Sequence, residues 1–173
     1  MKIANYGVTL SRLTEDKIEL VRNWRNDPKI AQYMEFNEYI TPEMQLKWFN
    51  KINNDKNYYF IIEYNGLEIG LINIRDLDFD KMEGEAGIFI YNDEYLNSDI
   101  SFRSNLLLCE FCFETLHLHR IIAHILKDNK RAIQYNLFFG YKIAANQTDV
   151  LNQLYYLKEV DFITKKDKLI RLF

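Results

Sequence analysis

The sequence is poor in the residues that build linkers, disulfide frameworks and membrane segments. Its 173 residues include two prolines, six glycines and two cysteines, and no repetitive or Pro/Gly-rich stretch divides the chain. A disulfide-stabilised fold and a string of linked domains are therefore disfavoured. No apolar run reaches the roughly 18 residues that a membrane-spanning helix needs, and the first residues lack the pattern of a secretory signal. We predict a single domain over residues 1–173, located in the cytoplasm and without a membrane partner.

Positive charge is not in excess either. Lys and Arg number 22 against 25 Asp and Glu, which gives a net charge of −3. A nucleic-acid partner is not expected, because a protein that binds phosphate backbones needs cations to displace counterions. The chain does have apolar material. Hydrophobic residues make up 48% and aromatic residues 15%, which is ample for the core of one globular domain.

The two cysteines form a C-x-x-C pair at Cys109 and Cys112, a pattern found in zinc and redox sites. Tetrahedral zinc takes four ligands and a redox pair sits at an exposed helix start, whereas these cysteines lie inside the apolar run LLLCEFCFETL with no second ligand pair elsewhere. We therefore predict that both thiols pack in the core and that the protein holds no metal. A zinc or redox protein is the alternative, and metal in the purified protein would reveal it.

A 3.6-residue rhythm of apolar side chains predicts two helices in the first third of the chain. The first is capped by Thr14 and stops at residues 26–28 (NDP), because the residue before proline avoids helical dihedral angles. A short helical piece is expected over 30–34, and a second long helix opens on Thr41 and Pro42. The side chains expected to face the core are Ile18, Val21 and either Trp24 or Arg25 in the first helix and Met44, Trp48 and Ile52 in the second.

The rest of the chain alternates between extended and helical patterns. The turn Asn65-Gly66 is a strong hairpin signal between strands over 58–64 and 67–75. Further strands are expected over 8–10, 85–91, 119–126, 141–144 and 154–162, and helices over 101–116 and 129–139, the last ending at Gly140. This order requires an α/β (α+β) fold with a mixed, mostly antiparallel central sheet of about seven strands and helices on both faces.

Five stretches carry a resemblance to a known family. They are residues 21–26 (VRNWRN) with Met34, 40–49 (ITPEMQLKWF), 68–78 (EIGLINIRDLD), 84–90 (GEAGIFI), and 116–121 (LHLHRI) followed by 129–132 (NKRA) and 139–141 (FGY). Together they resemble the GNAT superfamily of acyltransferases. The branch is the one that holds ribosomal-protein N-terminal acetyltransferases and the amino-sugar N-acetyltransferases of pseudaminic acid biosynthesis. The resemblance covers roughly residues 6–145 and implies the GNAT fold.

The resemblance implies an acetyl-CoA-dependent N-acetyltransferase. Its acceptor would be a primary amine, either a small molecule such as an amino sugar nucleotide or the N-terminus of a peptide or protein. Pantetheine would bond the backbone of Ile88, Phe89 and Ile90 between two diverging strands, as an added strand does. The pyrophosphate would sit at the start of the next helix, where free N–H groups favour anions. The residues implied there are Leu96, Asn97, Ser98, Asp99, Ile100 and Ser101, with Asn129 and Ala132 completing the cofactor site.

That phosphate segment departs from the family signature, which is Arg or Gln, two residues, Gly, any residue, then Gly or Ala. Both small positions are replaced, and Asp99 stands where backbone must approach phosphate. Ser98 and Asp99 also read as an ordinary helix N-cap. The alternative function is therefore a catalytically silent GNAT domain that binds a small ligand or a protein partner.

The catalytic residues implied by the resemblance are a base and an acid. Glu85, at the start of its strand, matches an acidic position common in the branch, and His124 is the other candidate base. Many relatives protonate the thiolate with a Tyr seven residues after the helix Asn, where this chain has Asn136 and Tyr135 stands one step away. The acceptor side would be shaped by Trp24, Arg25, Asn26 and Met34. A homodimer is possible through pairing of the last strand.

Overall fold

A computed structural model describes residues 1–34, 36 and 38–171. Within them the strands form one sheet of eight, in the order β1-β2-β3-β4-β5-β6-β8-β7. The strands are Lys2–Asn5 (β1), Val8–Arg12 (β2), Tyr58–Tyr64 (β3), Leu67–Asp78 (β4), Glu83–Ile90 (β5), Arg120–Leu126 (β6), Lys142–Ile143 (β7) and Asn152–Lys158 (β8). The α-helices are Ile18–Asn26 (α1), Pro28–Ala31 (α2), Pro42–Ile52 (α3), Ile100–Glu110 (α4), Lys130–Phe139 (α5) and Glu159–Ile170 (α6). The mixed, mostly antiparallel sheet is confirmed.

Two elements near the ends of the chain were not predicted. β1 is short and mostly exposed, and it pairs with β2 through a turn in which Tyr6 and Gly7 have positive φ. The strand predicted over 154–162 is wrong beyond Lys158, because α6 begins at the next residue. Phe162 and Leu169 are seven residues apart, two helical turns, and both are buried, which is a helical rather than a strand spacing.

The inner face of α3 also differs from the prediction. Gln45 and Phe49 are buried, whereas Met44 is 40% exposed and Trp48 and Ile52 pack only partly against the core. A shift of one residue on a helix is a rotation of about 100°. Gln45 occupies the buried position, where its side-chain amide donates to the carbonyl of Ile18 at 2.9 Å, while its Oε1 has no hydrogen-bond partner among the residues that the structure describes.

Helices cover both faces of the sheet, as predicted. On one face α1 and α3 pack with Val21, Trp24, Phe49 and Tyr59. On the other face α4 and α6 pack, and α4 continues as one π-helical turn over Phe111–Thr115. Cys109 and Cys112 are fully buried in this second core, and burial raises the pKa of both thiols. The packing prediction for the two cysteines is confirmed.

The feature that positions the site is the divergence of β5 and β6, the parallel pair in the sheet. Their residues are partners only from Glu83 opposite Arg120 to Glu85 opposite Ile122. Beyond that point β5 stays with β4 as far as Ile90, and β6 stays with β8 as far as Leu126. A gap therefore opens directly after Glu85, and the β5 edge that faces it is not paired with β6 in the described part of the chain. No described helix is long and apolar enough to cross a membrane.

Candidate active site

A group of polar side chains lies where β5 and β6 diverge; we call it the polar cluster, and it consists of Arg25, Tyr59, Arg75, Glu85 and His124. Its centre is one carboxylate oxygen. Glu85 Oε1 lies 2.9 Å from Nη2 of Arg75 and 3.2 Å from Nδ1 of His124. The two residues that the sequence offered as alternative bases are therefore neighbours.

The strand registers explain why these side chains meet. Arg75 is the cross-strand partner of Glu85, and opposite charges at such positions attract. Glu85 is also the partner of Ile122, and His124 lies two residues further along β6. Side chains two residues apart on a strand point to the same face, so His124 lies on the face of Glu85 just past the last paired residue. The Glu85 side chain is 17% exposed and that of His124 is 39% exposed.

Arg25 and Tyr59 extend the polar cluster toward α1 and β3. Burial lowers the pKa of the Arg25 guanidinium and raises the pKa of the Tyr59 hydroxyl, and the charge of Arg75 acts on both groups. Arg25 is only partly exposed, yet it forms no hydrogen bond or ion pair with any residue that the structure describes. A half-buried cation without a partner would be stabilised by a bound anion.

The other residues predicted for the acceptor side have packing contacts. Trp24 is 4% exposed and stacks on Tyr91 with ring centroids 5.4 Å apart. The Asn26 amide donates to the carbonyl of Ile40 at 2.9 Å and accepts from its N–H at 2.8 Å, so it holds the chain that enters α3. Met34 is half-buried in the turn after α2. Their role in acceptor binding stays a prediction.

The polar side chains of the segment before α4 form hydrogen bonds with neighbouring residues. Ser98 Oγ donates to the carbonyl of Tyr95 at 2.7 Å and accepts from the N–H of Ile100 at 3.3 Å. Asp99 makes no side-chain cap bond. Its carboxylate instead accepts from Arg103 at 2.6 and 3.0 Å. Asp99 is therefore the N-cap residue of α4 by position but does not cap the helix with its side chain, whereas the Ser98 hydroxyl accepts from the first helical N–H, and the carboxylate of Asp99 is paired with Arg103.

A second cation beside this segment was missed from the sequence. Arg131, in the first turn of α5, donates to the carbonyl of Leu96 at 2.7 Å and to Oδ1 of Asn97 at 3.3 Å. It lies in the stretch NKRA, which supported the resemblance without a role for this residue. The exposed guanidinium gives the predicted phosphate segment a positive charge that its own residues lack.

The polar residues of α5 bond within the helix and to α4. Asn129 Oδ1 accepts from the N–H of Ala132 at 3.0 Å, which makes Asn129 the N-cap. The Asn136 amide donates to the backbone carbonyl of Ala132 at 2.8 Å, one turn earlier in the helix. Tyr135 points to α4, where its hydroxyl donates to the carbonyl of Ser101 at 2.8 Å, and burial raises the pKa of this hydroxyl. The offset of Tyr135 from the position of the family acid is thus a real difference in direction.

Comparison with known proteins decides what this arrangement belongs to. The family model for the acetyltransferase (GNAT) domain matches residues 8–135, most of the chain. This chain belongs to the GNAT acetyltransferase family. Acetyltransferase PseH of Campylobacter jejuni subsp. jejuni serotype O:23/36 (strain 81-176) is 27% identical over 138 residues, which cover 78% of this chain and 80% of that protein. Spermidine N(1)-acetyltransferase of Escherichia coli (strain K12) is 21% identical over 140 residues, 80% of this chain and 74% of that protein.

Solved structures show the same fold. Spermidine N-acetyltransferase from Vibrio cholerae, in complex with CoA and spermine, has a TM-score of 0.79 at 19% identity and covers 92% of this chain and 99% of its own. An uncharacterized protein (bh2621) from Bacillus halodurans has a TM-score of 0.81 at 14% identity, with 99% of this chain and 96% of its own covered. The predicted GNAT fold is confirmed.

Membership of the GNAT family settles the coarse function. The family transfers acetyl groups from acetyl-CoA, so this GNAT chain is an acetyltransferase that acts on an amine, with acetyl-CoA as co-substrate. The alternative of a catalytically silent domain is not favoured. Which amine is acetylated, and which residues of this chain bind and react, are not decided by the match.

Proposed function

We propose that this GNAT chain acetylates a primary amine held over the polar cluster, where β5 and β6 diverge. The observation that carries the proposal is the position of Glu85 and His124. Both are groups that can accept a proton, and they lie at the point where the β5 edge becomes unpaired with β6. Pantetheine would extend along that edge at Ile88, Phe89 and Ile90, which would put the thioester near the two side chains.

The phosphates would lie at the start of α4, next to residues 96–101. There the helix N-terminus supplies free N–H groups and Arg131 supplies a cation. Asp99 opposes this only weakly, because Arg103 pairs with it. Asn129 and Ala132 would approach the cofactor from the first turn of α5, although their polar groups already bond each other.

The reaction needs little covalent chemistry from the protein. The amine nitrogen attacks the thioester carbonyl, the C–N bond forms as the C–S bond breaks, and the thiolate leaves. Positioning lowers the barrier, and a base must take a proton from the amine. The polar cluster supplies that base in our proposal. The Asn136 amide would donate a hydrogen bond to the leaving thiolate through its second N–H, which is not used in the bond to Ala132.

Arg25 favours an anionic acceptor among the amines considered. Two like charges about 4 Å apart repel by roughly 1 kcal/mol in water and about 4 kcal/mol at an effective dielectric constant of 20. An unpaired guanidinium therefore disfavours a polycation such as spermidine. It attracts the phosphates of an amino sugar nucleotide and is indifferent to most peptide N-termini. We propose an amino sugar nucleotide as the acceptor class.

The test is an acceptor panel with acetyl-CoA, read as release of the CoA thiol. We expect turnover with a nucleotide-linked amino sugar and at least about tenfold lower kcat/KM with the free amino sugar, with spermidine and with a peptide N-terminus. In Arg25→Gln the preference for the nucleotide-linked over the free sugar should shrink, while the rate with the free sugar stays near that of the wild type. Spermidine as the best acceptor would overturn the acceptor class. No binding of acetyl-CoA at millimolar concentration would overturn the whole proposal.

A further inference from the structure

The polar cluster divides its two candidate bases into different roles. We propose that the imidazole of His124 takes the proton from the acceptor amine, and that Glu85 is a positioning residue that orients the ring and stabilises its protonated form. This inference rests on the proposed acetyl transfer and adds to it the identity of the proton acceptor.

The contacts of Glu85 argue against a direct role for its carboxylate. Oε1 is already approached from one side by the Arg75 guanidinium at 2.9 Å and from the other by His124 at 3.2 Å. The Glu85 side chain is 17% exposed against 39% for that of His124, so the carboxylate is the less accessible of the two candidate bases.

The contacts of His124 leave the other ring nitrogen available. Nδ1 is the atom that faces Glu85, so the neutral ring with its proton on Nδ1 presents a lone pair on Nε2. Within residues 1–34, 36 and 38–171 the imidazole has no hydrogen bond or ion pair besides the one with Glu85. Its side chain is 39% exposed, which gives a proton taken from the amine a direct route to solvent.

The charged and titratable surroundings of the ring are consistent with this role. Glu85 faces it from β5, and Arg75 lies behind Glu85 on β4. On β8 the partner of His124 is the apolar Leu154, and Tyr156 is the partner of the neighbouring Ile122. Arg25 and Tyr59 interact electrostatically with Arg75. Glu85 is thus the anion that contacts the ring, and an imidazolium formed there is stabilised by it.

The proposed step balances as follows. Nε2 takes a proton from the bound ammonium group, and the neutral amine attacks the acetyl carbonyl carbon. The C–N bond forms, the C–S bond breaks, and the thiolate takes up the second proton that the nitrogen loses. The imidazolium then releases its proton to water. Overall an ammonium ion and acetyl-CoA become an amide, the CoA thiol and one free proton.

The experiment compares His124→Gln and Glu85→Gln, with His119→Gln as the matched control, because His119 is exposed and outside the polar cluster. We expect kcat to fall about 10²–10⁴-fold in His124→Gln, and the rise of rate with pH to disappear, because the group that must lose its proton is gone. The Kd of acetyl-CoA, measured by calorimetry, should change less than about twofold. His119→Gln should match the wild type in all three measurements.

Glu85→Gln tests the division of roles without touching the histidine. The imidazole that takes the proton is still present but is no longer oriented by the carboxylate, so the rise of rate with pH should persist, with kcat reduced about ten- to hundredfold. A rise that disappears in Glu85→Gln but persists in His124→Gln would make Glu85 the base and overturn the inference alone. A wild-type protein that binds no acetyl-CoA overturns the proposed function and the role of His124 with it. If His124→Gln does not fold, the persistence or loss of the rise in Glu85→Gln still decides the matter.

Discussion

The divergence of β5 and β6 and the segment before α4 are both rich in polar side chains, but they use them differently. In the segment before α4, neighbouring backbone or side-chain groups already bond the polar side chains of Ser98 and Asp99, and Arg131 of α5 is bonded to this segment as well. In the polar cluster, Arg25 has no partner among the described residues and His124 has one ring nitrogen free. Groups that satisfy one another hold a shape, whereas groups left partly unsatisfied are available to a ligand. In our proposal the chemistry takes place at the divergence of β5 and β6, and the segment before α4 holds the phosphates of the cofactor.

The largest expected effect comes from a double-mutant cycle in the polar cluster, which tests whether Glu85 acts through His124. If Glu85 acts through His124, the double variant Glu85→Gln/His124→Gln should be no slower than His124→Gln alone, about 10²–10⁴-fold below the wild type. Independent contributions would multiply instead. The matched control is Glu83→Gln. It removes a carboxylate from the same strand as Glu85, one that is paired with Arg120 of β6, and it should leave kcat unchanged. Steady-state kinetics at several pH values provide the measurement.

A second prediction concerns the two buried thiols in and just after α4, which should contribute to stability and not to turnover. Cys109→Ala removes a fully buried thiol and should lower the free energy of unfolding by about 1–2 kcal/mol, because the neighbours close the cavity incompletely. Urea unfolding measures this. Cys112→Ala should behave alike, and both variants should keep wild-type Kd for acetyl-CoA and wild-type kcat. Zinc that is present in the wild type and absent in either variant would contradict the assignment of these thiols to the core.

A smaller effect, on the affinity for acetyl-CoA, is expected at the Asp99–Arg103 pair. The affinity should change in opposite directions when one or the other residue is replaced. Asp99→Asn should tighten acetyl-CoA binding by about fivefold, because the carboxylate is removed while the guanidinium stays. Arg103→Gln should weaken binding by a similar factor. Calorimetric titration of both variants is the measurement. Equal affinities in the two variants and the wild type would show that the phosphates bind elsewhere than at the start of α4.

The smallest effect on turnover is expected at Tyr135. Its buried hydroxyl donates to the carbonyl of Ser101, so Tyr135→Phe should cost about 1 kcal/mol of stability through one lost hydrogen bond. The rate should stay within about threefold, because the phenol points to α4 and not to the gap between β5 and β6. A fall in kcat of a hundredfold or more would give Tyr135 the acid role that a Tyr has in many relatives. It would also place part of the chemistry next to the segment before α4.

Sequence patterns predicted the elements that local rules control. The hairpin at Asn65-Gly66, the Pro42 helix start and the Gly140 helix end are all present, since each depends on dihedral preferences of one or two residues. The resemblance also predicted that the two strands that carry Glu85 and His124 diverge. The acceptor, the homodimer and the location in the cytoplasm stay predictions.

Tertiary structure decided which polar groups are available. Gln45 rather than Met44 faces the core, where its amide bonds Ile18, and the carboxylate of Asp99 is paired with Arg103; no local pattern specifies either contact. α6 was missed because the first residues after Lys158 carry apolar and polar side chains in an order that fits either a strand or a helix. The amino-acid sequence alone determined the family, the strand alternation and the candidate bases. The contact between Glu85 and His124 follows only from the register of β5 on β6, because two residues 39 positions apart meet through sheet pairing, which no local pattern specifies.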